Sequence, residues 1–173
     1  MNFSKIKAFV FDVDGALTDG RLLGMPDGDF LRQYDAKDGM GMRMAVMSGY
    51  VVAIITGGSS MSIVKRFKAS GLREEDIYIH SRDKVEDLYK LCAAHGLTPE
   101  EILYLGDDIP DIPVLRLVGM PACPTDAVPE VREVCKFVSS RPGGKGAARD
   151  VIETVMKAQG KWIFDVSEYK RRF

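Results

Sequence analysis

The chain has few of the features that mark a disulfide-stapled, membrane-spanning or nucleic-acid-binding protein. It holds 3 cysteines, Cys92, Cys123 and Cys135, with no CxxC pair among them. That excludes an even disulfide framework and a thiolate zinc site, and the thiols read as reduced, structural groups of a cytoplasmic protein. The 2 histidines, His80 and His95, lie too far apart to form a metal pair on one helix face. Neither sign of charge prevails: 24 Lys and Arg stand against 25 Asp and Glu, a formal net charge of −1. No global basic field therefore advertises nucleic acid or an anionic membrane as a partner. Long apolar runs are missing too. Stretches such as VVAII at 51–55 are far too short to cross a bilayer, and the opening MNFSKIKAFVFD runs into a strand with no signal-peptide core expected. No internal repeat or low-complexity tract interrupts the 173 residues, a length suited to one domain with its own core.

What is present is an alternation. The run AFVF at 8–11 reads as a buried strand, as do VVAIIT at 51–56, DIYIH at 76–80, the segment ending at Gly106 and MPACP at 120–124. Helical spacing marks MGMRMAVMSG at 40–49, MSIVKRFKASG at 61–71 and DKVEDLYKLCAAHG at 83–96. It returns at 112–119, 127–135 and 146–160, and a short helical turn is expected from Thr98, with Pro99 in its first position. Strands alternating with helices of this length make βαβ units. The expected fold class is α/β: a three-layer, Rossmann-like, doubly wound, mostly parallel sheet. A Pro-Asp-Gly turn at 26–28 between RLL and FLRQYD predicts a β-hairpin at 21–35, inserted after the first strand. Residues 1–160 are expected to form a single domain, and KWIFDVSEYKRRF at 161–173 a tail.

Ligands of open α/β sheets bind beyond the carboxyl ends of the strands, so polar residues at those exits are the candidates. They are Asp12 and Asp14, then Thr56 and Gly57, then Lys84, then Asp107, Asp108 and Asp111. Residues i and i+2 of a strand share a face, so Asp12 and Asp14 can meet over one small volume. Two carboxylates there repel unless one is protonated or a cation intervenes. Each signal alone has a plainer reading: an Asp-Gly turn, a helix N-cap at Thr56, a solvated lysine in a first helical turn. GDDIPD at 106–111 lacks the spacing of an EF-hand. Together the signals compose a phosphoryl-transfer site. Asp12, first out of its strand, is placed for in-line attack on phosphorus as a covalent nucleophile. Mg²⁺ is expected between carboxylates and phosphate, held by Asp12, the main-chain carbonyl of Asp14 and Asp107, with Asp108 and Asp111 in support. The Asp14 side chain is then available as general acid and base. Thr56, Gly57 and Lys84 offer hydroxyl, N–H and ammonium to the phosphoryl oxygens.

DVDGALTDG at 12–20, IITGG at 54–58, SRDK at 81–84 and GDDIPD at 106–111 together resemble the four motifs of the haloacid dehalogenase superfamily, the first and last being the specific ones. LTDG at 17–20, DGMGMRMA at 38–45 and RPGGKGAARDVIE at 141–153 are similar to its small capless branch, typified by 3-deoxy-D-manno-octulosonate 8-phosphate (KDO 8-phosphate) phosphatases. The gaps between motifs are too short for a cap domain. The resemblance implies a Mg²⁺-dependent phosphatase of a 2-keto-3-deoxy sugar acid phosphate, with the same roles for Asp12, Asp14, Asp107, Thr56 and Lys84. It also implies a homotetramer, in which the hairpin builds a central barrel and a neighbour covers the open crevice; the RLL and FL segments suit such pairing. Arg66 matches an arginine of the branch and is expected to meet the substrate carboxylate, a solvated helix-face arginine being the plainer reading. Lys145 stands in GGKG where the branch usually has Gly-Gly-Arg-Gly, keeping the charge and losing the fork. Gly58 departs further. Many KDO 8-phosphate phosphatases carry arginine there and relatives acting on nine-carbon acids can carry glutamate, so a nonulosonate 9-phosphate stays open as substrate. A non-catalytic regulatory module is the other alternative, against which the intact carboxylate cluster argues. The aromatic and cationic residues of 161–173 suggest docking at the rim of a neighbour's crevice.

Overall fold

The computed structural model describes residues 1–162. In chain order the first elements are β1 (Ala8–Phe11), β2 (Leu23–Gly24), β3 (Phe30–Leu31), α1 (Ala36–Met47), β4 (Val51–Ile55) and α2 (Met61–Lys68). They are followed by β5 (Ile77–Tyr78), α3 (Lys84–His95), β6 (Ile102–Leu105), α4 (Ile112–Leu115), β7 (Met120–Cys123), α5 (Pro129–Val134), β8 (Phe137–Val138) and α6 (Ala147–Ala158). Six strands form one sheet in the order β5-β4-β1-β6-β7-β8, and every pairing in it is parallel.

Side-chain alternation along the central strands sorts the apolar residues between two cores. Phe9 and Phe11 of β1, Ile54 of β4 and Leu103 and Leu105 of β6 pack with Met42 of α1, Phe67 of α2 and Val151, Ile152 and Val155 of α6. Ala8, Val10, Ala53, Ile55, Ile102 and Tyr104 pack on the other side with Leu88 and Leu91 of α3, Val114 of α4 and Val131 of α5. Because helices cover both faces, these strands read as unbroken apolar runs. The three-layer, doubly wound fold is as expected from the sequence.

Boundaries differ where a local cap outweighs apolar spacing. The helix expected at 40–49 begins at Ala36, since Asp35 takes extended geometry and accepts the Lys37 N–H at 2.6 Å. That start cuts FLRQYD short, and the antiparallel pairing of the hairpin is confined to Leu23–Gly24 with Phe30–Leu31. Strand β8, two residues long, carries too little pattern to be foreseen. The sixth helix opens on Gly146, which has no side chain to cap it. The cap comes from α1 instead: Asp38 Oδ1 accepts the Arg149 N–H at 2.7 Å. Burial pushes the Asp38 carboxyl up to about 6, against the pull of that amide. After Gly160 the chain turns back, and Trp162 stacks under the Arg149 guanidinium at 4.5 Å. The first residues of the expected tail therefore dock on their own domain; 163–173 lie outside the described residues.

Candidate active site

The carboxyl ends of β1, β4 and β6 open into one crevice of about 490 Å³, lined by Asp12, Asp14, Thr56, Gly57, Lys84, Asp108 and Asp111. Parallel strands in register deliver their exits to one level, so residues far apart in sequence converge there. At its floor lies a buried ionic knot. Lys84, the first residue of α3, donates to Asp12 Oδ1 at 2.6 Å and to Asp111 Oδ1 at 2.7 Å. The Tyr104 hydroxyl also donates to Asp111 Oδ1 at 2.7 Å, while Asp111 Oδ2 receives the Asp107 N–H at 3.0 Å. With both oxygens engaged, Asp111 holds the loop and the lysine in place.

Electrostatics show that Lys84 does not satisfy this site alone. Burial pushes the Asp12 carboxyl up to about 7; the Lys84 charge opposes the rise and Asp111 adds to it. Asp107 is pushed up to about 8 by burial first, then by the charges of Asp12, Asp111 and Asp108. Burial disfavours the Lys84 ammonium, yet Asp12 and Asp111 outweigh it and hold its pKa above the usual value. Carboxylate oxygens of Asp12, Asp107 and Asp111 all lie within 4.8 Å of one another, and Asp107 Oδ1 is buried without a hydrogen-bond partner among the described residues. An all-oxygen donor set with an orphaned carboxylate oxygen fits a hard divalent cation such as Mg²⁺. The loop after β1 is shaped to admit Asp107. Gly15 has φ +98°, and a Cβ there would stand 1.9 Å from Asp107 Oδ2, so any other residue would be strained and would displace the Asp107 carboxylate.

Other expected residues fall differently. Thr56 is buried, and its hydroxyl accepts the Gly58 N–H at 3.1 Å; the N-cap of α2 is Ser60. The Asp14 carboxylate lies in the fork of Arg32, at 2.7 and 3.0 Å. Arg66 is outside the crevice. Its guanidinium donates to Ser70 Oγ at 2.9 Å and lies over the Tyr34 ring, beside a small cleft shared with Gly39 and Arg43. Lys145 is exposed and does not line the crevice either. Its motif works through the main chain: a Cβ on Gly143 would come within 1.8 Å of the Gly15 carbonyl, so the loop at 143–146 buttresses the loop after β1.

A family model described as haloacid dehalogenase-like hydrolase matches residues 53–149. The chain belongs to the haloacid dehalogenase-like hydrolases. Within that family it is 32% identical to the KDO 8-phosphate phosphatase of Yersinia pestis over 158 residues, which cover 91% of this chain and 83% of the relative. It is 33% identical to the Escherichia coli K12 enzyme of the same name, over 90% of this chain and 82% of the relative. Among solved structures, a hydrolase of the superfamily from Legionella pneumophila superimposes with a TM-score of 0.92 at 33% identity, covering 98% of this chain and 92% of that one. The Moraxella catarrhalis KDO 8-phosphate phosphatase, solved with magnesium, phosphate and KDO, gives 0.88 at 32% identity, over 98% and 95%.

Three residues that line this hydrolase's crevice or bond to its lining were not singled out from the sequence. Tyr104 carried a usable signal, because a tyrosine in an aliphatic buried strand needs a partner for its hydroxyl. Arg82 also lines the crevice, on a loop where His80 adopts φ +57°. Arg32 gave no local signal, since only the return of the hairpin brings it to Asp14.

Proposed function

We propose that the protein is a Mg²⁺-dependent phosphatase of a 2-keto-3-deoxy sugar acid phosphate, KDO 8-phosphate first among them, working through an aspartyl-phosphate. The observation that carries this reading is the buried Asp12–Lys84–Asp111 arrangement, at 2.6 and 2.7 Å, facing Thr56 and Gly57 across one crevice. The names of the relatives, and the magnesium, phosphate and KDO in the Moraxella catarrhalis structure, support it.

Lys84 fixes the Asp12 carboxylate at the exit of β1, facing the crevice. One oxygen of Asp12 forms a bond to phosphorus as the bond from phosphorus to the sugar oxygen breaks; Asp14 gives that oxygen its proton. Water then attacks the aspartyl-phosphate and passes a proton to Asp14, which restores Asp12 and releases phosphate. The Thr56 hydroxyl, the Gly57 N–H and the Lys84 ammonium receive the charge that develops on the phosphoryl oxygens. Asp12, Asp107 and the Asp14 carbonyl would hold Mg²⁺, which when bound screens the carboxylates from the phosphate and polarises it. Asp108 and Asp111 support that set.

With no inserted unit but the hairpin between β1 and α1 among the described residues, the crevice stays open in a single copy. The reading therefore includes a homotetramer of single-domain subunits joined through residues 21–35, where Leu23, Phe30 and Leu31 are exposed. A cytoplasmic enzyme suits the reduced thiols, and no helix among the described residues is long and apolar enough to cross a membrane.

Phosphate release from a panel of sugar phosphates, with and without Mg²⁺, is the test. KDO 8-phosphate should be turned over fastest, and only with the metal. Gly58, in place of the arginine common among KDO 8-phosphate phosphatases, keeps nonulosonate 9-phosphates in the panel as the second reading. Failure to release phosphate from any member would sink the phosphatase reading.

A further inference from the structure

We propose that Arg32 is a positioning residue for Asp14, so that the hairpin is a working part of the active site and not only an interface. The proposal rests on the acid–base role given to Asp14 above. Arg32 Nε meets Asp14 Oδ1 at 2.7 Å and Nη2 meets Oδ2 at 3.0 Å, so a planar fork takes both carboxylate oxygens at once. Such pairing fixes direction as well as distance. The Arg32 side chain is 3% exposed, far from the solvated state of an ordinary surface arginine.

The surroundings are built to keep it there. A Cβ on Gly58 would stand 3.2 Å from Arg32 Nη2 and 2.9 Å from Ile63 Cδ1, so glycine at 58 leaves the volume that the guanidinium needs. A second bond ties the hairpin to the same wall. Ser60 Oγ, at the N-cap of α2, donates to Asp29 Oδ2 at 2.8 Å. Arg32 also donates to the Phe30 carbonyl at 3.2 Å, which couples the fork to the main chain of β3. Asp14 itself stands on a short loop after β1, and among the described residues its carboxylate takes hydrogen bonds from Arg32 alone. A group that exchanges protons with substrate must be held within hydrogen-bond reach, and misplacement by about 1 Å can cost on the order of 10²-fold.

A double-mutant cycle separates action through Asp14 from any other role. In the full-length enzyme with Mg²⁺, Arg32→Gln should lower kcat by about 10²-fold with KM within about threefold. Adding Arg32→Gln to Asp14→Asn should change kcat by no more than about twofold, because the group it serves is gone. Arg32→Lys, which keeps charge but not the fork, should recover part of kcat, and it guards against a folding failure in the glutamine variant. Single-turnover release of nitrophenolate from nitrophenyl phosphate needs no proton on the leaving oxygen, so Arg32→Gln should leave it within about threefold of wild type. Equal losses in both backgrounds, or equal slowing of both leaving groups, would overturn the proposal alone. So would a rise in KM at constant kcat. Wild-type kcat in Asp14→Asn would overturn the acid–base reading along with it.

Discussion

Lys84→Met removes the one cation, among the described residues, that the buried carboxylates of Asp12 and Asp111 share. Methionine keeps most of the stem, so packing changes little while the charge disappears. At 2.6 Å and an effective dielectric constant of 20, each attraction is worth about 6 kcal/mol in Coulomb energy. Protonation of Asp12 and entry of water relieve part of that, and breaking a buried pair costs about 3–5 kcal/mol in practice. The unfolding free energy is therefore expected to fall by about 3–5 kcal/mol in metal-free buffer near neutral pH. Urea titration followed by far-UV circular dichroism measures it directly. Under the proposed function Mg²⁺ would bind the folded state and supply positive charge beside the same oxygens, so adding it should raise the stability of the variant more than that of wild type. A variant within about 1 kcal/mol of wild type, with the same response to Mg²⁺, would refute the idea that this ammonium reconciles the two acids.

Asp12→Asn keeps shape but cannot form the acyl-phosphate; a folded variant with substantial turnover in a phosphate-release assay would remove Asp12 as nucleophile. Asp14→Asn should lose about 10²–10⁴-fold in kcat. The folded state raises the Asp38 carboxyl from 3.8 to about 6, so it binds a proton more tightly than the unfolded chain does. Its contribution is fully present below pH 3.8 and is lost as pH rises through about 6. The full swing is roughly 3 kcal/mol, reduced by about 0.3–1 kcal/mol because the N-terminus of α6 favours the anion. Wild type should thus lose about 2 kcal/mol relative to Asp38→Asn between pH 4 and 7 in urea unfolding, and a flat difference would contradict it. Leu23→Glu should dissociate the proposed tetramer, because an unpaired buried charge costs several kcal/mol; sedimentation of an intact tetramer would place the interface elsewhere.

The candidate site was legible because parallel sheets turn it into a one-dimensional pattern. Apolar runs with no alternation announce strands buried on both faces, and the first polar residue after each run marks the crevice. Asp12, Thr56 and Asp107 could be read that way, and Lys84 followed as the start of the next helix. Arg32 could not, because its partner lies 18 positions away and its approach depends on the path of the hairpin. Arg66 lies apart from the crevice for the opposite reason. Its place ten residues after Thr56 matched a pattern, but Tyr34, Ser70 and the Asp35 carbonyl hold it on the α1–α2 side. The start of α1 was hidden by Gly39 and Gly41, poor helix formers that an Asp35 cap and packing against α6 override.

The order of the strands gives the crevice two unequal halves in time. Strand β1 is flanked by β4 and β6, and the Asp12 amide donates to the Leu105 carbonyl at 2.9 Å. Its hydrogens should exchange with solvent only when the whole molecule opens. Strand β5, two residues long, closes the sheet on the other side and pairs with β4 alone. The loop from β5 to Lys84 hangs from that margin, held by the Ser81 N–H on the Thr56 carbonyl and the His80 N–H on the Gly58 carbonyl, both at 2.9 Å. Sub-global opening at this margin would withdraw Lys84 while Asp12 remained in place. On warming, catalytic competence should fade before helical content does, and amides of residues 77–83 should gain deuterium well ahead of those in β1.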